Sequence, residues 1–99
     1  MPDEVSLHQK HIVVEGVVQG VGFRWFVRER ARRGGLRGWV RNRTDGSVEL
    51  RVGGHPIVIE RLLSELAIGP KGAVVRAVRE IPDQPSDELP FPFVIQRER

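Results

Sequence analysis

Two spacings of apolar residues alternate along the chain and predict its strands and helices. Between Ser47 and Val52 every second residue is apolar, which is typical of a strand with one buried face. Between Ile59 and Leu66 the apolar residues follow the spacing of a helix instead. The predicted elements, in chain order, are a strand over His11–Glu15, a helix from Phe23, a hairpin of Leu36–Arg43 and Ser47–Val52, a helix with Pro56 in its first turn, a strand over Ala73–Ile81 with a possible bulge, and a short strand over Phe93–Ile95.

Glycine and proline residues mark the breaks between these elements. Gly34-Gly35 ends the first helix and Gly69-Pro70 ends the second. The dipeptide Asp45-Gly46 is a strong hairpin signal, and we interpret Asp45 as a turn residue. Two helices and an antiparallel sheet in the order β-α-β-β-α-β predict an α+β fold, a two-layer sandwich with both helices on one face of the sheet.

Composition limits the molecule to one small domain. The chain has 99 residues, no cysteine and no apolar run of membrane-spanning length. We therefore expect a single domain over residues 1–99, with a flexible tail over 1–9 and no contact with a membrane. The N-terminus has no apolar segment of the kind that directs secretion, and a cytoplasmic location is expected. Without cysteine, a disulfide framework, a thiolate metal site and a cysteine nucleophile are all excluded.

The charge pattern favours an anionic ligand. The net charge is +3, and seven arginines lie between residues 28 and 43. Such a surface attracts nucleic acids and small phosphorylated molecules alike. The histidines His8, His11 and His55 are scattered, have no carboxylate at metal-ligand spacing, and are expected to be ordinary structural or surface residues.

The segment from Gly16 to Arg24 is the first candidate for chemistry. Three glycines precede the predicted helix, and a glycine-containing turn can direct several backbone N–H groups at one anion. Arg24, in the first turn of the helix, has a planar set of donors that matches two phosphate oxygens. The alternative is a loop whose glycines only permit a sharp connection between strand and helix.

Asn42 is the second candidate, because it lies at the end of a predicted strand, just before the turn. Its side-chain amide can both donate to and accept from a water molecule. The alternative is an asparagine that hydrogen-bonds the nearby backbone and shapes the turn.

These two segments together resemble the acylphosphatase family. The resemblance rests on Gly-Val-Val-Gln-Gly-Val-Gly-Phe-Arg at 16–24 and on Gly-Trp-Val-Arg-Asn at 38–42, which is followed by Asp-Gly-Ser-Val-Glu at 45–49. It extends over roughly residues 10 to 97. It implies a ferredoxin-like sandwich and hydrolysis of acyl phosphates. It also implies that Arg24 binds the phosphate and that Asn42 orients the attacking water. The loop residues that would supply backbone donors are Val18, Gln19, Gly20, Val21 and Gly22.

The chemistry of acyl phosphates agrees with this short set of residues. The leaving group is a carboxylate, which departs without a proton, so neither a strong nucleophile nor a metal is required. We expect no metal, no cofactor, a small-molecule substrate, no nucleic-acid partner and a monomer. Two other readings remain: an RNA-binding module and an anion-binding module without turnover. The first is disfavoured because the strands His11–Glu15 and Ser47–Val52 contain no aromatic residue for base stacking.

Overall fold

The computed structural model describes residues 8–86 and 88–97. These residues form five strands and two helices in the predicted order. In chain order the elements are β1 (His8–Val17), α1 (Phe23–Arg33), β2 (Arg37–Asn42), β3 (Val48–Gly54), α2 (Pro56–Ile68), β4 (Val74–Glu80) and β5 (Val94–Ile95). The predicted α+β sandwich is confirmed. Neither described helix is long and apolar enough to span a lipid bilayer.

The strands form one sheet in the order β4-β1-β3-β2-β5. The first four are antiparallel neighbours, as predicted. β5 instead runs parallel to β2, with Trp39 opposite Val94, so the complete sheet is mixed. The reason lies in the connection, because β4 and β5 occupy opposite edges of the sheet. The chain leaves β4, crosses the sheet, and enters β5 from the end at which β2 also begins.

The hydrophobic core lies between the sheet and the two helices. α1 buries Phe23, Val27 and Ala31, which recur every four residues and form one stripe along the helix. α2 buries a similar stripe, and both stripes meet alternate residues of the central strands. The buried strand residues are Ile12, Val14, Val40, Val48, Leu50 and Val52. Each large apolar side chain buried in this way contributes about 1.5–3 kcal/mol, so this layer holds the elements in place.

The first strand begins earlier than its apolar pattern predicted. His8 and Gln9 belong to β1 although they fall in the range expected as a flexible tail, and residues 1–7 lie outside the described residues. The side chains of Gln9 and His11 face away from the helices and bond to a later segment of the chain. Because these residues are polar, apolar alternation did not reveal the start of the strand.

The far end of β1 is fixed by Gly16. Its φ is 134°, and a Cβ atom there would lie 2.0 Å from the carbonyl oxygen of Val74. Only glycine permits this approach of β4. One extra residue of β4, Arg76, lies opposite this point and forms a bulge, in the strand whose imperfect alternation predicted one. The contact fixes where the sheet ends and where the loop toward α1 begins.

Residues 81–86 and 88–92 cross the face of the sheet that is opposite the helices, where Asp83 bonds to His11 and Arg51. We name this chain the crossing segment and that side of the sheet the open face. The N–H of Ile81 donates to the carbonyl oxygen of His11 at 2.7 Å, and the N–H of Gly38 donates to the carbonyl oxygen of Pro90 at 2.8 Å. The segment is therefore attached to β1 near one end and to β2 near the other.

Candidate active site

The loop between β1 and α1 spans residues 18–22, and we name it the cradle loop. Val18 is 1% exposed and anchors the loop in the core, whereas Gly20 and Gly22 are exposed. Both glycines have a φ of 77°, a conformation that costs other residues roughly 1–2 kcal/mol. Apart from chain neighbours, no described atom lies within 4 Å of where their Cβ atoms would be. The glycines are therefore needed for the path of the backbone, and the space beside them is open.

α1 begins directly after the cradle loop, with Gly22 as its N-cap residue. The N–H of Phe26 donates to the carbonyl oxygen of Gly22 at 3.0 Å and starts the backbone bonds of the helix. A glycine offers no side-chain oxygen to the N–H groups of the first turn, and that turn contains no acidic residue. These N–H groups and the helix dipole produce a positive potential that suits an anion.

Arg24 lies in the first turn of α1 and is half-buried. Its guanidinium forms no hydrogen bond or ion pair with any other described residue. Two later arginines of the same helix are paired. Arg30 lies 3.4 Å from the carboxylate of Glu65, and Arg32 donates to the carbonyl oxygen of Phe93 at 2.7 Å. Arg24 thus differs from these two in adding a positive charge beside the cradle loop that no described partner neutralises.

Asn42 is the last residue of β2 and lies opposite Val48 of β3. Strand alternation puts its side chain on the same side as buried Val40, the side of the helices. Its Oδ1 is buried and has no hydrogen-bond partner among the described residues. A buried acceptor left in this state costs about 1–3 kcal/mol. Since Oδ1 makes no bond to the turn, the turn-shaping interpretation loses its main support.

One side chain connects the cradle loop to the hairpin that carries Asn42. Nε2 of Gln19 donates to the carbonyl oxygens of Arg43 and Ser47, each at 2.8 Å. Arg43 follows Asn42 directly, and Ser47 precedes its cross-strand partner. Gln19 was predicted to contribute to phosphate binding through its backbone, and the structure shows its side-chain nitrogen bound to the hairpin. The cradle loop and the hairpin of Asn42 are therefore in direct contact.

The turn of this hairpin is fixed by its own polar groups. Oδ1 of Asp45 accepts from the N–H of Ser47 at 3.0 Å and from its hydroxyl at 2.6 Å. The hydroxyl bond is the main cause that lowers the pKa of Asp45, and the backbone bond adds to it. Asp45 is thus the turn residue that the sequence predicted, and it keeps the hairpin rigid next to Asn42.

A second group of polar residues lies on the open face of the sheet, and no sequence pattern indicated it. Nε2 of His11 is 2.5 Å from Oε2 of Glu49, and its Nδ1 is 2.8 Å from Oδ2 of Asp83. Arg41 donates to Glu49 at 3.0 Å, and Arg51 donates to Asp83 at 2.8 Å. We name these five residues the open-face cluster. Through Asp83 the cluster attaches the crossing segment to β1 and β3.

The electrostatics of this cluster are those of a structural network. Burial is the largest influence on Glu49 and raises its pKa, but the hydrogen bonds and charges of His11 and Arg41 together outweigh it, and the net effect lowers the pKa. The hydrogen bond with His11 is also the main cause that lowers the pKa of Asp83. Within the described ranges, no three His, Cys, Asp or Glu side chains are arranged to hold a metal ion. The sequence could not reveal the cluster, since the carboxylates lie 38 and 72 residues from His11.

Known proteins share both the sequence and the fold of this chain. The family model for acylphosphatase matches residues 10–94. The acylphosphatase of Bifidobacterium longum is 50% identical over 84 residues, which are 83% of this chain and 87% of that protein. The crystal structure of acylphosphatase from Bacillus subtilis aligns with a TM-score of 0.83 at 33% identity and covers 92% of this chain and 99% of that one. An acylphosphatase structure from Coxiella burnetii aligns with a TM-score of 0.76 at 36% identity and covers 91% and 93%.

The fold and the site define the class of protein: a ferredoxin-like sandwich with a glycine-containing loop at the start of its first helix. Within that class, the chain belongs to the acylphosphatase family. The resemblance seen in the two motifs is thereby confirmed, and with it the expected fold and enzyme class.

Proposed function

We propose that the cradle loop and Arg24 bind the phosphoryl group of an acyl phosphate while Asn42 orients the water that hydrolyses it. One observation carries this proposal. The side-chain bridge from Gln19 brings the hairpin of Asn42, whose buried oxygen has no described partner, against the loop next to Arg24. The groups that bind the phosphoryl group and the residue that orients the water then act on one substrate.

The phosphoryl group is held by backbone N–H groups and one full charge. The donors are the N–H groups of Val18, Gln19, Gly20, Val21 and Gly22, together with those of the first turn of α1. Arg24 adds a bidentate, charge-assisted contact to two phosphoryl oxygens. Donors that are already in place when the reaction starts stabilise the charge of the transition state without reorganisation.

The reaction is a displacement at phosphorus. The oxygen of water attacks the phosphorus, the bond from phosphorus to the acyl oxygen breaks, and the carboxylate leaves with the electron pair. The protons of the water pass to the phosphate product and to solvent. A carboxylate is a weak base with an ordinary pKa of about 4, so it needs no general acid. Asn42 accepts a hydrogen bond from the water and so directs a lone pair of its oxygen at the phosphorus.

We propose further that this hydrolysis proceeds without a metal ion or any other cofactor. The argument is chemical: a metal in phosphoryl transfer neutralises charge on the phosphoryl oxygens, and here Arg24 and the backbone donors take that role. The leaving group is already activated, so positioning and charge neutralisation are sufficient.

The two non-enzymatic readings are weaker on structural grounds. An RNA-binding module would need a free aromatic ring on the open face. The ring of Trp39 is instead occupied by the open-face cluster, with His11 edge-on at 6.3 Å and Arg41 at 5.0 Å from its centroid. A module that only binds an anion has no use for the buried oxygen of Asn42. The proposed partner is therefore a small acyl phosphate and not a nucleic acid.

For the protein as a whole we propose a monomer that works in the cytoplasm. An arginine side chain lies against each of two exposed aromatic rings, so neither ring is a bare apolar surface. Arg28 lies 3.9 Å above the ring of Trp25, and Arg37 lies 5.2 Å from that of Phe91. Light scattering on the purified protein should give the mass of one chain, and a concentration-independent dimer would contradict this part of the proposal.

The test of function is a turnover assay on the purified protein. Acetyl phosphate and benzoyl phosphate should be hydrolysed at unchanged rates with and without excess EDTA. A phosphate monoester such as phenyl phosphate should be a poor substrate, because its phenoxide is a much stronger base than a carboxylate. No turnover of either acyl phosphate would contradict the function, and activity lost with EDTA and restored by a divalent ion would contradict the metal-free mechanism.

A further inference from the structure

The amide group of Gln19 uses both of its N–H bonds on the hairpin. Its two acceptors, the carbonyl oxygens of Arg43 and Ser47, can only accept, so the nitrogen of the amide must face them. The same two carbonyl oxygens also close the turn. Ser47 accepts from the N–H of Arg43 at 2.9 Å, and Arg43 accepts from the N–H of Gly46 at 3.2 Å. Gln19 therefore bonds to both atoms that define the shape of the turn.

These bonds fall next to Asn42 on both strands. One acceptor is Arg43, which follows Asn42. The other is Ser47, which precedes Val48, the residue opposite Asn42 in the hairpin. Fixing the backbone on both sides fixes the direction in which the side chain of Asn42 leaves the strand. Within the cradle loop, whose other residues are Val18, Gly20, Val21 and Gly22, Gln19 has the only side chain that can donate a hydrogen bond.

We propose that Gln19 is a positioning residue for hydrolysis, whose side chain holds Asn42 at the correct distance from the cradle loop. This inference rests on the proposed function. The cradle loop, which holds the phosphate, and the hairpin, which holds the water, are joined by the bond from Gln19 to Arg43, 24 residues later in the chain, and this amide sets their separation. The water must stand in line with the phosphorus, and a misplacement of about 1 Å can reduce the rate by about a hundredfold.

The chain offers a matched control in Gln9. Its Nε2 donates to the carbonyl oxygen of Ser86 at 2.5 Å, and its Oε1 accepts from the N–H of Ser86 at 2.9 Å. Gln9 thus also joins two distant segments through its side-chain amide. It lies near the start of β1 while Gln19 lies just beyond the end, so at about 3.3 Å per residue the two are roughly 25 Å apart.

The experiment compares Gln19→Met and Gln9→Met, since methionine keeps the length of the side chain and removes its donors. Turnover of benzoyl phosphate, inhibition by inorganic phosphate and the thermal midpoint are measured for each. Gln19→Met should lower kcat by about tenfold to a hundredfold and change the inhibition constant of phosphate by less than about threefold. Gln9→Met should lower the thermal midpoint and change kcat per folded molecule by less than about twofold.

A double variant shows whether Gln19 acts through Asn42. In the Asn42→Ala background, the residue to be positioned is absent, so Gln19→Met should lower kcat by no more than about another twofold. The inference is overturned if the two effects on kcat multiply, or if phosphate inhibition weakens in parallel with kcat. It is equally overturned if Gln19→Met, like Gln9→Met, changes only stability. These results require a wild-type protein that hydrolyses benzoyl phosphate, and an inactive wild type would overturn the proposed function instead.

Discussion

The open-face cluster and the cradle end of the sheet, where the cradle loop, Arg24 and Asn42 lie, both contain polar and charged groups, but they are built in opposite ways. In the open-face cluster each carboxylate contacts two cationic or imidazole side chains, at distances of 2.5–3.0 Å. At the cradle end, Arg24 and the Oδ1 of Asn42 have no hydrogen-bond partner among the described residues. Paired groups stabilise the fold, whereas a polar group without a protein partner requires another explanation, and at the cradle end we propose a bound substrate.

This difference limits a common criterion for finding active sites. Displaced pKa values often mark catalytic groups. In this molecule the lowered pKa values of Glu49 and Asp83 belong to the open-face cluster, which attaches the crossing segment to the sheet. Hydrolysis of an acyl phosphate needs no titrating group, because the leaving group departs without a proton. A search by pKa would therefore select the open-face cluster and the turn residue Asp45, whose roles in this account are structural.

The largest effect that separates the two regions is expected from Arg24→Ala. Removing a bidentate, charge-assisted contact should lower kcat/KM for acyl phosphates by about a thousandfold or more, equivalent to about 4 kcal/mol. Inhibition by inorganic phosphate should weaken as well. Arg24→Lys should restore only part of the activity, because a point charge does not reproduce the planar donors.

The control for this change is Arg33→Ala, at the exposed last turn of the same helix. It removes an equal charge at a position distant from the cradle loop and should leave kcat/KM within about twofold of the wild-type value. Stability should fall by about 0.3–1 kcal/mol, because a favourable interaction with the helix dipole is lost. Near-normal turnover in Arg24→Ala would mean that the site lies elsewhere.

In the open-face cluster, Glu49→Gln is expected to lower stability and leave turnover unchanged, in contrast to Arg24→Ala. The substitution keeps the shape of the side chain and removes the charge that His11 and Arg41 contact. Stability should fall by about 1–3 kcal/mol, measured by urea unfolding, while kcat per folded molecule stays within about twofold of the wild-type value. A loss of turnover at unchanged stability would make the cluster part of the active site.

The smallest expected effect is a change in how stability depends on pH in the acid range. The folded-state pKa values of Glu49 and Asp83 lie below their ordinary values of 4.5 and 3.8. The unfolded chain therefore binds protons first, so the stability from these groups is present above pH 4.5 and is lost as the pH falls through the folded-state pKa values. The variant Glu49→Gln/Asp83→Asn should show a shallower loss between about pH 5 and pH 3. If the free energy of unfolding had the same slope against pH in the wild type and the variant, Glu49 and Asp83 would not be the groups responsible.

The local parts of the site could be predicted from the sequence, because their signals are short-range. Three glycines before a helical period indicated the cradle loop, and Asp45-Gly46 indicated the turn after Asn42. The glycines were informative because the backbone at Gly20 and Gly22 needs a positive φ.

The missed features depend on contacts between distant segments. The family resemblance assigned the backbone of Gln19 to phosphate binding, but its side chain bonds to the hairpin turn, where its acceptor Arg43 lies 24 residues later in the chain. The partners of His11 lie still further away in the chain. β5 was predicted as a short strand, and its parallel orientation depends on the path of the crossing segment over the open face.

The most direct test of the account is Asn42→Ala, with kcat, phosphate inhibition and stability measured on the same preparation. If Asn42 holds the water, kcat should fall on the order of a thousandfold while the inhibition constant of phosphate stays within about threefold. Stability should not fall, because the substitution removes a buried oxygen that has no partner among the described residues. A variant that loses about 1 kcal/mol of stability and keeps its turnover would show that Asn42 only shapes the turn, and would contradict the account.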